Sequence, residues 1–285
     1  MSSAAAALEA IARAIEGRRI AVLTGAGVST GSGIPDYRGP DGRWRRESRP
    51  VQYRDFVSSE AVRRRYWARS SVGWPWFRER APNPVHQLIV DLEGMAASSC
   101  VITQNVDGLH QAAGSATVIE LHGNLNKAVC LRCGVSEHRD RLQERIMRDN
   151  PGWSAYTAEM APDGDAELVD EAVEGFRVPA CERCAGVLKP AVVFFGESVP
   201  GERVHEAYAL LDRADMLLVL GSSLSVYSGY RFVRHAGESK KPVYCINRGS
   251  TRADSELTIK IDEPLEPALT ELMQILVRKQ AVFHR

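Results

Sequence analysis

The sequence predicts an α/β fold, a parallel β-sheet with helices on both faces, into which a small second unit is inserted. Three observations predict it. Short apolar runs of strand length alternate with segments of helical spacing, the arrangement that closes into a parallel sheet covered on both sides. A glycine-rich turn follows the first apolar run directly, Gly25 to Gly33, at the kind of strand end where open α/β sheets place their ligands. Two Cys-x-x-Cys pairs, 47 residues apart, lie in a stretch that interrupts the alternation.

Taken in order, Ala4 to Glu16 carries Leu8, Ile11, Ala12 and Ile15 at helical spacing. It also carries Glu9 and Glu16 and runs straight into the first strand, so it reads as a helix of the domain and not as a removable leader. Ile20 to Thr24 is the first buried strand. Helical patterns follow at about 55-70 and 84-93. A second strand, 99-103, ends in Gln104, Asn105, Val106 and Asp107, with a short helical pattern over 107-113. A third, 117-121, runs into His122. Beyond the interruption, strands at 191-194, 216-220, 243-246 and 257-261 alternate with helices at 201-213, 226-236 and 265-277. The expected division is one unit of residues 1-126 and 188-285, and an inserted lobe of 127-187 holding a long excursion, 150-165. Trp153, Tyr156 and Met160 argue against simple disorder there.

Composition excludes several classes. The 36 basic and 36 acidic residues cancel, which speaks against a nucleic-acid binder needing a strong positive field. Ten arginines between Arg38 and Arg69 and an acidic run from Asp163 to Glu174 read as solvated faces. No apolar stretch approaches the roughly 18 to 20 residues of a membrane span, so no membrane partner is expected and the protein is placed in the cytoplasm.

The chemistry sits at three strand ends. The turn Gly25-Ala26-Gly27 is followed by Ser29, then by Asp36, Tyr37 and Arg38. Glycines let backbone N–H groups approach phosphate oxygens, and Arg38 is placed to pair with them. The spacing is Gly-x-Gly-x-x-x-Gly and leads to Pro35 instead of straight into a long helix, so it is not the ordinary dinucleotide turn. Amide, carboxylate and imidazole converge from Asn105, Asp107 and His122. Cys130, Cys133, Cys181 and Cys184 have zinc spacing, and four thiolates leave no open position, so the metal is expected to be structural. Cys100 and Cys245 lie in apolar runs and read as buried thiols.

The segments GAGVSTGSGIPDYR, TQNVDGLH, ELHG, VLKPAVVFFGE, GSSLSVYSGY and INRG, with the two cysteine pairs, occur in the order of the sirtuins. The chain resembles that family from about Leu8 to about Leu272. It is closer still to the class II branch through RPVQYRDFVSSEAVRRRYWARSSVGWPWF, NPGWSAYTAEMAPDGD and SVYSGYRF.

The resemblance implies a Rossmann-like NAD-binding domain with an inserted zinc lobe, and NAD-dependent removal of acyl groups from lysine side chains. It further implies that Gly25, Ala26, Gly27 and Arg38, with Gly221, Ser222 and Ser223, hold the pyrophosphate, and that Asn247, with Arg248 and Gly249, meets the adenine ribose. Ser29, Gln104, Asn105, Val106 and Asp107 would surround the nicotinamide ribose, with Asp36 and Tyr37 covering the ligand. His122 is the implied general base, suited by an imidazole pKa of about 6.5. Substrate would add as a strand between Gly196-Glu197 and Val226, near Val193 and Phe195. Tyr66 and Arg69, i and i+3 on a helix, resemble the pair with which class III sirtuins hold an acidic acyl group. Mono-ADP-ribosyl transfer uses the same contacts and is the alternative activity. The partner is an acyl-lysine protein or peptide, and a monomer is expected.

Overall fold

A computed structural model describes residues 3–37, 50–153 and 173–283. A six-stranded sheet forms the frame: β1 (Arg19–Thr24), β2 (Ser98–Thr103), β3 (Val118–Glu120), then β7 (Met216–Leu220), β8 (Val243–Ile246) and β9 (Ile259–Ile261). Their order is β3-β2-β1-β7-β8-β9 and every pair is parallel. The chain builds outward from β1 in one direction, then from β7 in the other. The reversal opens a crevice at the carboxyl ends of β1 and β7, where a ligand is expected.

Alternation along the strands feeds two cores. Ile20 and Val22, with Met216, Leu218 and Leu220, pack against α1 (Ser3–Ile15), α4 (Pro84–Met95) and α9 (Leu265–Phe283). Ala21 and Leu23, with Leu217 and Val219, pack against α7 (Gly201–Arg213) and α8 (Tyr227–Glu238). Both faces of β1 and β7 are therefore buried, which is why these runs are apolar throughout. The start of α4 is fixed by a capping box of Asn83 and His86 with Pro84 in the first turn. The Asn83 amide also donates to Val28 O at 2.8 Å, tying the glycine loop to that helix.

A second sheet, β5-β4-β6, is antiparallel and made of β4 (Gly123–Cys130), β5 (Ser136–His138) and β6 (Leu188–Val192). The strand expected at 191-194 is thus β6, which belongs to this sheet and not to the parallel one. Pro190 and the run of valines gave it the look of a buried strand without saying which sheet it joined. β4, β5 and α6 (Arg139–Asp149) were not foreseen; α6 has a polar outer face, and in β4 the alternation is broken where Asn126 and Lys127 stand side by side.

The helix expected at 55-70 is two. Ser59 is extended (φ −120°, ψ 121°), ends α2 (Tyr53–Ser58), and caps α3 (Glu60–Arg78) by accepting from Val62 N–H. Both helices pack with the second sheet, where Phe56, Tyr66 and Trp67 join Leu142, Ile146 and Leu188 in one core. Trp67 Nε1 donates to Leu188 O at 3.2 Å. Trp153 also joins this core, its indole N–H donating to Ala68 O, whereas Tyr156 and Met160 lie outside the described residues. The short helix of the second strand end is α5 (Leu109–Ala113), entered through Gly108 at φ 75°.

Candidate active site

The crevice at the reversal is a cavity of about 950 Å³. It brings together residues of the glycine loop and of the strand ends that carry Asn105, His122, Ser222 and Asn247, while the cysteine pairs lie outside its lining. Gly25, Ala26, Gly27, Ser29, Asp36 and Tyr37 line it from the loop after β1. Gln104, Asn105, Val106 and Asp107 line it from the end of β2, and His122 from the turn into β4. Gly221, Ser222 and Ser223 follow β7; Asn247, Arg248 and Gly249 follow β8. Val193, Phe195, Gly196, Glu197 and Val226 also line it, with Ser228 and Arg231 from α8, and Tyr66 reaches it from α3. Arg69 is not among the described lining residues, and Arg38 lies outside the described residues.

The glycines of the first loop answer a packing demand. A Cβ on Gly25 would stand 2.8 Å from Gly221 O, and one on Gly27 2.9 Å from Gly221 Cα. Gly25 N–H and Gly27 N–H donate to Leu220 O and Gly221 O at 3.2 and 3.0 Å. Gly221 itself turns at φ 59°. The two strand-end loops thus touch backbone to backbone, and glycine is required on both sides. This packing demand stands beside the phosphate approach expected from the sequence.

Behind the loop lies a chain of hydrogen bonds. Asn105 donates through Nδ2 to Gly25 O at 3.1 Å and to Ser29 Oγ at 3.0 Å. Ser29 Oγ donates in turn to Asp107 Oδ2 at 2.7 Å, and Leu109 N–H donates to Asp107 Oδ1 at 2.9 Å. Burial raises the Asp107 pKa, while these two donors pull it back. Gln104 Nε2 bridges the adjacent loops, donating to Thr24 O and Ser222 Oγ.

His122 is half-buried and held at both nitrogens. Nδ1 lies 2.8 Å from Gln104 O, and Nε2 lies 2.7 Å from Ser228 Oγ. A carbonyl only accepts, so Nδ1 carries the proton and the lone pair of the neutral ring is on Nε2. Burial lowers the pKa; the Gln104 hydrogen bond raises it, and the charges of Arg203 and Arg231 lower it again. The ring is therefore a neutral base near pH 7.

The segment Phe194–Glu197 is braced from below. Lys189, 4% exposed, pairs with Glu197 at 3.0 Å, and Glu197 accepts from Phe194 N–H at 2.8 Å. Val193 N–H donates to His122 O at 2.7 Å. Ser228, Arg231 and Lys189 were missed in the sequence. Ser228 and Arg231 are three apart near the start of a helix, a signal visible only once that helix is known to border the cavity.

Cys130, Cys133, Cys181 and Cys184 bring their sulfurs within 4.8 Å of one another. Cys130 and Cys184 are 3.5 Å apart, Cys133 and Cys181 3.7 Å. Zinc–sulfur bonds of about 2.3 Å put tetrahedral edges at roughly 3.8 Å, so the donors fit zinc. A Cβ on Gly186 would meet Cys130 Sγ at 2.9 Å, which keeps that position free of a side chain. Cys100 and Cys245 are buried in the parallel sheet.

Among the described residues no helix is long and apolar enough to cross a membrane. A family model described as the Sir2 family matches residues 25–228. The NAD-dependent protein deacetylase of Xanthomonas campestris pv. campestris is 50% identical over 257 residues, 90% of this chain and 87% of that one. NAD-dependent protein deacetylase 1 of Streptomyces coelicolor is 51% identical over 263 residues, 92% of this chain and 88% of that one. A solved Sir2 with deacetylated p53 peptide and acetyl ADP ribose superposes at TM-score 0.75 and 31% identity, covering 94% of this chain and 97% of that one. A Sir2–p53 peptide–NAD+ structure gives 0.67 and 31%, over 90% and 92%. With the family match running from the glycine loop through His122 to Ser228, and half-identical relatives spanning nine-tenths of its length, the chain belongs to the Sir2 family.

Proposed function

We propose that this protein is an NAD-dependent protein-lysine deacetylase, and that its acyl range extends beyond acetyl. The observation that carries the reading is the state of His122 in the cavity lining: its proton is fixed on Nδ1 by the Gln104 carbonyl, and its Nε2 lone pair accepts from Ser228 Oγ, a hydroxyl that can turn away to let a substrate hydroxyl take its place.

NAD, when bound, supplies an electrophilic ribose carbon and nicotinamide as leaving group. Gly25, Ala26, Gly27, Gly221, Ser222 and Ser223 form the floor for its pyrophosphate, and Asn247, Arg248 and Gly249 border the adenosine end. Asn105, Ser29 and Asp107, already joined by hydrogen bonds, present an amide, a hydroxyl and a carboxylate toward the nicotinamide ribose. His122 accepts a ribose hydroxyl proton at Nε2, and Gln104 O holds the resulting imidazolium through Nδ1–H. Val193, Phe195, Gly196, Glu197 and Val226 border the entry for an extended acyl-lysine peptide. Four cysteine thiolates hold a structural zinc away from this chemistry. Tyr66 in the lining supports a channel reading the acyl group from α3, with Arg69 one turn further; the class II likeness rests on this region, the 150-165 segment and SVYSGYRF.

The test is incubation with NAD and acetyl-lysine peptide. Nicotinamide release that depends on the peptide, with an O-acetyl ADP ribose seen by mass spectrometry, is expected. His122→Ala should lower turnover by about 10²-fold or more while leaving melting unchanged. Full turnover by that variant would remove His122 from the reaction. A panel of acetyl, glutaryl, methylglutaryl, lipoyl and long-chain acyl-lysine peptides reads the acyl range.

A further inference from the structure

Two segments bordering the cavity differ in charge. In Phe194–Val199 the carboxylate of Glu197 is consumed by Lys189 and Phe194 N–H. The other, Ser225–Arg231, carries Arg231 in the cavity lining and is joined by Arg252, whose guanidinium donates to Ser225 O at 3.3 Å. Arg231 and Arg252 both lie over the ring of Tyr227, at 5.2 and 5.9 Å from its centroid, and Arg252 also lies 4.4 Å over Tyr230. Tyr227 is 49% exposed and Val226 36%.

No carboxylate among the described residues lies within 4 Å of either guanidinium. The nearby Glu256 accepts from the Tyr230 hydroxyl. Arg234, one turn along α8, is paired with Glu238 at 3.3 Å, and Arg19 and Arg145 are paired with Asp215 and Glu137. On a chain with equal numbers of acidic and basic residues, Arg231 in the cavity lining and Arg252 beside the lining residues Ser225 and Tyr227 lack, among the described residues, the carboxylate partner that others have. The Arg231 charge also reaches inward, adding to the burial that holds His122 below its ordinary value.

We infer that this edge recognises a carboxylate side chain beside the acyl-lysine, so that preferred protein substrates carry Asp or Glu within about two residues of the target lysine. The inference rests on the deacetylase reading and names its substrate class. A guanidinium offers a planar pair of donors that fits a carboxylate in two parallel hydrogen bonds. Cation–π contact with Tyr227 favours keeping the two guanidinium groups beside this edge and reduces the rotamer freedom lost on binding. An extended peptide passing Val226 and Tyr227 would bring its flanking side chains to them.

Fluorescence anisotropy of labelled acetyl-lysine peptides that carry Glu, Ala or Lys beside the acetyl-lysine tests this, alongside turnover of the same peptides. The Glu peptide should bind about three- to fivefold tighter than the Ala peptide at low salt, the scale of a partly exposed ion pair. That ratio should fall to about one in 0.5 M salt, where the screening length is a few ångströms. Arg231→Glu should invert the order in favour of the Lys peptide, while Arg234→Met, outside the cavity, should keep the wild-type order. Equal binding of all three peptides by the wild type, or an unchanged order in Arg231→Glu with only NAD affinity altered, would overturn the inference. Absence of nicotinamide release from every peptide would count against the deacetylase reading, and the binding order would still decide this one.

Discussion

The Ser228 hydroxyl stands 2.7 Å from His122 Nε2, across the ring from the 2.8 Å hydrogen bond between Nδ1 and the Gln104 carbonyl. Helix α8 brings it there because Gly229 packs on the Gln104 side chain: a Cβ at that position would stand 2.4 Å from Gln104 Oε1. Gln104 thus positions both ends of the imidazole, one through its carbonyl and one through the helix that rests on it. A hydroxyl can donate to the neutral ring and accept from the protonated one, so Ser228 can serve both states of the base.

Removing that partner should slow the reaction without weakening cofactor binding. Ser228→Ala is expected to lower kcat by about two- to tenfold, the range of one net hydrogen bond, with NAD KM little changed. Ser228→Thr should recover most of the loss. Imidazole ¹⁵N shifts would check the cause: both proteins should show the Nδ1–H tautomer set by the Gln104 carbonyl, and in Ser228→Ala the unprotonated Nε2 resonance should move as its hydrogen bond is lost.

The metal site makes a second prediction. Cys181→Ser should lose the bound zinc, measured by elemental analysis, and lower Tm, because binding energy at a structural site is folding energy. Gly186→Ala should weaken the metal without removing a ligand, since its methyl would press on Cys130 Sγ and Cys184 Sγ at 2.9 and 3.1 Å. Retention of full zinc content in both variants would contradict the assignment.

Much of this site was legible because its signals are local. Strand ends carrying Asn105, Asp107 and His122 are read from a few residues, and each cysteine pair announces itself. What the sequence hid depends on distant packing. Gly25 and Gly27 look like phosphate glycines, yet Gly221, nearly two hundred residues later, is what excludes a side chain. Ser228 gains meaning only when Gly229 meets Gln104. β6 reads as a strand, but its antiparallel partner β4 cannot be inferred from apolar content. The break at Ser59 was missed because helical spacing continues across it.

Two buried histidines predict acid lability. His86 and His110 contact each other edge to face at 5.0 Å, and burial pushes their pKa values down to about 4 and about 3. The mutual charge lowers His110 further. Folded values below the unfolded value of about 6.5 mean that the unfolded state binds protons first, so stability is present above that pH and is lost as pH falls toward 4. Each histidine should cost roughly 1 kcal/mol per pH unit in that window. Urea midpoints between pH 7 and 5 should fall steeply, and His110→Gln should flatten the slope. An equally steep fall in that variant would place the effect elsewhere.

The last prediction concerns the brace under the substrate-bordering loop. Lys189 is almost wholly buried, donates to the carbonyls of Pro190 and Val192, and pairs with Glu197, whose carboxylate also accepts from Phe194 N–H. Burial lowers the lysine pKa and the Glu197 carboxylate offsets part of that fall. Lys189→Met removes the cation and leaves two carbonyls and a carboxylate short of a donor, which should cost about 2 to 4 kcal/mol; the lower end is favoured because Glu197 is 22% exposed and water can reach it. The loop Phe194–Glu197 loses its anchor at the same time, so peptide KM should rise more than NAD KM. Glu197→Gln alone should be milder, since the amide oxygen still accepts from Phe194 N–H. In the double variant Lys189→Met with Glu197→Gln, no unpaired charge remains, and stability should recover part of the single-variant loss. A strictly additive double variant would show that the two side chains act independently, and the loop would then owe its shape to backbone contacts such as Tyr53 N–H to Phe195 O and Val193 N–H to His122 O.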